Sequence, residues 1–168
     1  RSWAEYRDGF GDKEGEFWLG NEILRRLTEP VNGQQRWEMM VDIERIIPGV
    51  SSQTHTVFND FHVDGENYTL QVVGADNPDI GPESNGQPFS TYDRDNDAEP
   101  SLNCADELKG GWWFNRCTAT NPRGDVGPPR YHLNGEYSQT SEAPGRDFSW
   151  TYTHEGITRS EMKMRRYR

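Results

Sequence analysis

The sequence has few cysteines, few hydrophobic residues and no long apolar run. Cys104 and Cys117 are its two cysteines in 168 residues, and no Cys-x-x-Cys occurs. Structural zinc held by cysteine alone is therefore excluded. Apolar stretches extend only a few residues, which leaves no membrane-spanning helix and no signal-peptide core. Bases are scarce relative to acids, 18 against 28, for a net charge of −10. Binding a nucleic-acid backbone needs a basic stripe that displaces counterions, so such a partner is not expected. The chain also lacks Gly-x-Ser-x-Gly and His-Glu-x-x-His, and His55, His62, His132 and His154 stand apart from any nucleophile signature. Carboxylate pairs for glycoside cleavage cannot be placed across a bond by spacing. The chain reads as a binding protein, not an enzyme.

What is present argues for a folded domain. Only 32% of residues are hydrophobic and the mean hydropathy is −1.03, a composition that by itself leans toward disorder. Six Trp, seven Tyr and seven Phe oppose it, because aromatic rings bury large areas. A chain of this length buries roughly 70% of its unfolded surface, enough for its own core. Seventeen Gly and ten Pro exclude a helical bundle and predict many loops.

Periodicity predicts a short helix over residues 21–27, with Asn21 as its cap and Pro30 ending it. Trp37, Met39, Val41 and Ile43 alternate with polar residues, predicting a half-buried strand over 36–44. Further strands are expected at 57–64 and 68–72, joined by a turn at Gly65-Glu66. A last strand places Met162 and Met164 on one face. Residues 74–103 lack periodicity and are punctuated by prolines, as a functional loop region is. Residues 118–131 are a second Pro/Gly-rich loop, and Trp112-Trp113-Phe114 is expected in the core. The class is α+β with strands predominating.

Charge is uneven. Residues 76–107 carry nine acids and one base, while the last ten residues carry five bases and one acid. Within the acidic stretch, Asp93, Asp95 and Asp97 alternate, and hard oxygens so spaced on a curved loop converge on one point, as calcium prefers. Magnesium demands stricter octahedral geometry. The loop is not an EF-hand: counted from Asp93, the sixth and twelfth positions are Ala98 and Cys104. The even cysteine count suits an oxidising, extracellular setting, and a disulfide closing so short a loop contributes about 3 kcal/mol in the chain-entropy account. Asn67-Tyr68-Thr69 is an N-glycosylation sequon. Arg123-Gly124-Asp125, beside Pro122 and before Gly127-Pro128-Pro129, is an adhesion tripeptide of the kind read by integrin-type receptors; such triplets also recur by chance.

Phe89-Ser90-Thr91-Tyr92-Asp93-Arg94-Asp95-Asn96-Asp97, Asn103-Cys104-Ala105, Gly110-Gly111-Trp112-Trp113-Phe114-Asn115, Cys117 and Leu133-Asn134-Gly135-Glu136-Tyr137 together resemble the fibrinogen C-terminal globular domain. Trp3, Tyr6, Gly9-Phe10-Gly11, residues 16–22 and Met162-Lys163-Met164-Arg165 extend the resemblance along the chain. It implies a twisted antiparallel sheet with short helices and a loop-rich calcium subdomain beside a ligand pocket, one domain over 1–168 without the family's N-terminal subdomain. It implies that Asp95 and Asp97 side chains and the carbonyls of Glu99 and Ser101 hold Ca²⁺, with Leu102 the alternative to Ser101. It implies a Cys104–Cys117 disulfide and a cis peptide at Arg116-Cys117. Phe114, Arg116, Cys117, Thr118 and Asp147 fall at the pocket.

Besides the missing N-terminal subdomain, the chain departs from the family pattern in its pocket and by an insertion. Phe114 stands where the family has Tyr, Thr118 where it has His, and about eleven residues holding the Arg-Gly-Asp triplet are inserted between Cys117 and Leu133. Losing a phenol and an imidazole weakens acetyl recognition by removing hydrogen-bond groups. Leu108 falls where an acid is usual in members that grip a peptide knob, so that activity is the less expected. The resemblance thus implies a secreted, lectin-like innate-immune module that takes glycans or acetylated groups on microbial surfaces, with multivalency through homo-oligomers. The alternative is an adhesion module acting through Arg123, Gly124 and Asp125.

Overall fold

The computed structural model describes residues 1–30, 36–47, 50–75, 84–117, 133–134 and 156–167. Its principal sheet has four antiparallel strands in the order β5-β4-β3-β6: β3 (Arg36–Ile47), β4 (Val50–Asp64), β5 (Thr69–Ala75) and β6 (Gly156–Tyr167). The alternation along β3 sets which face is buried. Met39, Val41 and Ile43 are 4%, 1% and 1% exposed, and Met162 and Met164 of β6 pack against the same core.

The opposite face explains the basic end of the sequence. Antiparallel register sets Asp42 against Glu161 and Glu44 against Arg159. Lys163 Nζ donates to Asp42 at 2.6 Å, and Arg165 Nε donates to the buried Glu38 at 2.6 Å. The bases of β6 thus neutralise the acids of β3 across the strands.

Three strands are longer than their sequence pattern predicts: hairpin pairing from Ile47↔Val50 back to Met39↔Phe58 extends β3 and carries β4 through polar residues such as Ser51, Ser52 and Gln53, and β5 runs on to Ala75 opposite Phe58. Ladder hydrogen bonds do not depend on side-chain polarity. The third strand starts at Thr69 and not at Tyr68, whose φ of +51° places it in the turn.

Helix α1 (Trp3–Asp8) has no counterpart among the predicted elements. It is started by a capping box, with Ser2 Oγ accepting from the Glu5 N–H while Glu5 accepts from the Ser2 N–H. Two short strands, β1 (Phe10–Gly11) and β2 (Phe17–Trp18), pair before α2 (Asn21–Thr28). Asn21 is not the cap of α2. Gly20 takes that place with φ +103°, where a Cβ would lie 3.0 Å from the Arg7 carbonyl oxygen. Asn21 is fully buried instead and accepts from the Trp18 indole N–H at 3.0 Å. Thr28 closes the helix onto the sheet, its Oγ1 donating to the Leu24 carbonyl and accepting from the Val63 N–H.

Between helices and loops lies an aromatic knot. Phe89, with no exposed surface, has ring centroids 5.1 Å from both Tyr6 and Trp113 and 5.9 Å from Trp18. Four remote segments of sequence meet there, and they include both flanks of the acidic loop.

Candidate functional site

The acidic loop is aperiodic in sequence but tightly hydrogen-bonded. Ser90 bridges to Trp112, Thr91 pairs with Arg94, and Asn96 Nδ2 donates to the Phe89 carbonyl at 2.7 Å. The alternating carboxylates divide their work. Asp93 Oδ1 accepts from Thr91 Oγ1 and from the Trp3 N–H, both at 2.8 Å, which fastens the loop to α1. Asp95 is exposed and accepts from the Asp97 N–H at 3.2 Å. Asp97 Oδ1 accepts from the Glu99 N–H and its Oδ2 from the Cys104 N–H, each at 2.8 Å. Burial pushes the Asp97 carboxyl above its ordinary pKa; the Cys104 and Glu99 N–H bonds oppose this, and the charge of Asp95 adds to it.

Cys104 opens a short helix, α3 (Cys104–Glu107), capped by Asn103 Oδ1, which accepts from the Asp106 N–H. Asn103 Nδ2 returns to the Thr91 and Tyr92 carbonyls, so the cap also holds the loop. Cys104 is bonded to Cys117 as the resemblance implies, with Cα atoms 5.6 Å apart. The Ala98 N–H donates to the Asn115 carbonyl at 2.8 Å. Loop 93–103 is thus tied to the 115–117 turn twice, by that bond and through the disulfide.

The predicted pocket residues divide by exposure. Arg116 is exposed, as is its neighbour Asn115, which the sequence did not place at the pocket, whereas Phe114 and Cys117 are 3% and 8% exposed. Trp112 and Trp113 are buried with Phe114, as the core expectation has it. The peptide bonds of the described residues are all trans, Arg116-Cys117 included, in place of the cis bond implied by the resemblance. Trans is the lower-energy form of a non-proline peptide by about 2.5–4 kcal/mol. Thr118, Asp147, the Arg123-Gly124-Asp125 triplet and the 118–131 loop lie outside the described residues.

Oxygen ligands dominate the loop. Among the described residues no group of three or more His, Cys, Asp or Glu is placed to hold a metal. The Asp95–Asp97 pair therefore needs neutral oxygens to complete a shell, which Glu99 and Ser101 carbonyls would supply. Glu99 is itself 9% exposed, and its carboxylate accepts from Ser101 Oγ at 2.8 Å. Hard oxygen donors are what calcium takes, and Asp95 and Asp97 with those two carbonyls are the residues that would hold it.

Sequence reasoning missed the roles of Asp93, Asn103 and Asn115. Asn103 had a signal, an Asn with an acid three positions on. Asp93 had none, because its partner Trp3 is 90 positions away.

Residues 1–167 match the family model for the fibrinogen beta and gamma chains, C-terminal globular domain. The chain belongs to this family. Its similarity to human tenascin-R is 36% identity over 172 residues, covering 99% of this chain and 11% of that protein. Techylectin-5A of Tachypleus tridentatus is 33% identical over 170 residues, with 98% of this chain and 53% of that one covered. The chain thus spans well under two thirds of these relatives. Among solved structures, the fibrinogen-like globe domain of human ANGPTL2 superposes with a TM-score of 0.79 at 27% identity, covering 98% of this chain and 72% of that one. A fibrinogen-family domain is a recognition module, not an enzyme.

Proposed function

We propose that this domain is a secreted, calcium-stabilised, lectin-like module that binds glycans or acetylated groups of the kind carried on microbial surfaces. The observation that carries the reading is the double tie between the Asp95–Asp97 loop and the exposed Asn115-Arg116 turn. Its similarity along nearly its whole length to a protein named techylectin supports the carbohydrate side.

Arg116 offers guanidinium donors and Asn115 an amide with both donor and acceptor, groups that suit an acetyl carbonyl and sugar hydroxyls. Asp95 and Asp97 would hold calcium, which would supply positive charge to offset the repulsion between their carboxylates. The protein's own part is positional: Asp97 holds the start of α3, the disulfide carries that position to Cys117, and the turn presents its side chains. The extracellular placement rests on the disulfide and on the family.

Retention of the domain on N-acetylated sugar beads in calcium tests this. Release by EDTA and by free acetate is expected. Passage straight through the column, by a domain that still melts cooperatively, would refute the reading.

A further inference from the structure

We infer that Asn67 is an N-glycosylated residue whose glycan stands at the Trp3–Arg94 corner of the acidic loop. Asn67-Tyr68-Thr69 is the only Asn-x-Ser/Thr triplet in the chain. A triplet alone is weak, and the folded placement is what strengthens it. Asp64, Gly65, Glu66 and Asn67 are all exposed, and they end β4 and open the turn into β5. The backbone beneath is pinned from inside. The Asn67 carbonyl accepts from the Phe89 N–H at 2.9 Å, and the next carbonyl, that of Tyr68, accepts from the buried Trp113 indole at 2.7 Å. The Tyr68 ring turns inward and stacks on Trp3 at 5.4 Å, while Asn67 is left on the outside.

The side-chain chemistry is compatible with the modification. Asn67 Oδ1 accepts from Arg94 Nη2 at 2.7 Å, and Arg94 itself lies over the Trp3 ring at 4.1 Å. The atom that is glycosylated is Nδ2, the other end of the amide. In the transfer, Nδ2 bonds to the anomeric carbon of a lipid-diphosphate-linked oligosaccharide. The bond from that carbon to the diphosphate oxygen breaks, Nδ2 loses one proton, and nothing is oxidised or reduced. The product is a secondary amide that keeps Oδ1, so the Arg94 bond survives and the sugar extends away from the protein. The inference rests on this turn and on passage through a secretory pathway, not on which ligand the domain binds.

The test is to secrete the full chain from animal cells behind an exchangeable leader and to measure its intact mass before and after peptide-N-glycosidase. Loss of one glycan's mass is expected, with residue 67 converted from Asn to Asp. An Asp at this position still offers Arg94 an acceptor, so the product stays folded. Thr69→Ser should keep the glycan and Thr69→Ala should abolish it, with Asn67 itself intact in both. A secreted, folded chain of unmodified mass would overturn the inference, as would a glycan that persists in Thr69→Ala.

Discussion

The Cys104 N–H donates to Asp97 Oδ2 at 2.8 Å, so a carboxylate of the acidic loop caps the backbone of a disulfide-bonded cysteine. Asp97→Ala leaves two N–H groups, those of Glu99 and Cys104, without this acceptor. Destabilisation of about 1–3 kcal/mol is expected even without calcium. Asp95→Ala removes one long bond at an exposed position and should cost within about 0.5 kcal/mol without calcium. Calcium should raise the melting temperature of the parent and of neither variant. Thermal melts with calcium and with EDTA separate the two effects. A calcium response that persists in either variant would remove that aspartate from the ligand set.

Tyr6 reaches across the fold to Gly111, whose N–H donates to the phenol oxygen at 2.9 Å in a buried setting. A Cβ on Gly111 would lie 2.7 Å from Tyr6 Cε2 and 2.8 Å from Phe89 Cε1. Gly111→Ala should therefore overpack the aromatic knot and cost about 1–3 kcal/mol. Tyr6→Phe should cost a comparable amount for a different reason, an unpaired buried N–H. Chemical denaturation measures both, and a neutral Gly111→Ala would contradict the packing described.

Glu22 gives stability a pH signature. Hydrogen bonds from Arg25, then from Arg26, lower its carboxyl from 4.5 to about 2. A folded pKa below the unfolded one stabilises the fold above the unfolded value, and this contribution fades as pH falls through the folded value. Glu22→Gln should thus weaken the domain at pH 6 and match the parent near pH 2. Denaturation midpoints between those pH values check the convergence, and a gap of constant size would count against it.

Sequence legibility followed range of interaction. The β3 strand was readable because Trp37, Met39, Val41 and Ile43 report their burial through a local period of two. The Cys104–Cys117 bond and the loop were readable through a run of family motifs. Helix α1 was encoded in its Ser2–Glu5 capping box, which six residues carry without apolar periodicity. The Asn21 cap failed because positive φ at Gly20 and the Trp18 indole decide that position, and neither is a propensity. At the candidate site, the residue types of Asp95 and Asp97 were legible, whereas the anchoring of Asp93 by Trp3 was not. Contacts that span 90 or 105 positions leave no local pattern.

The central claim is that loop and turn form one calcium-organised recognition site. Calorimetric titration of an N-acetylated sugar into the domain, in saturating calcium and again in EDTA, tests it most directly. Binding in calcium, its loss in EDTA, and its weakening in Arg116→Ala at an unchanged melting temperature are the predicted results. Equal binding in calcium and EDTA, or no heat in either from a folded domain, would contradict the account.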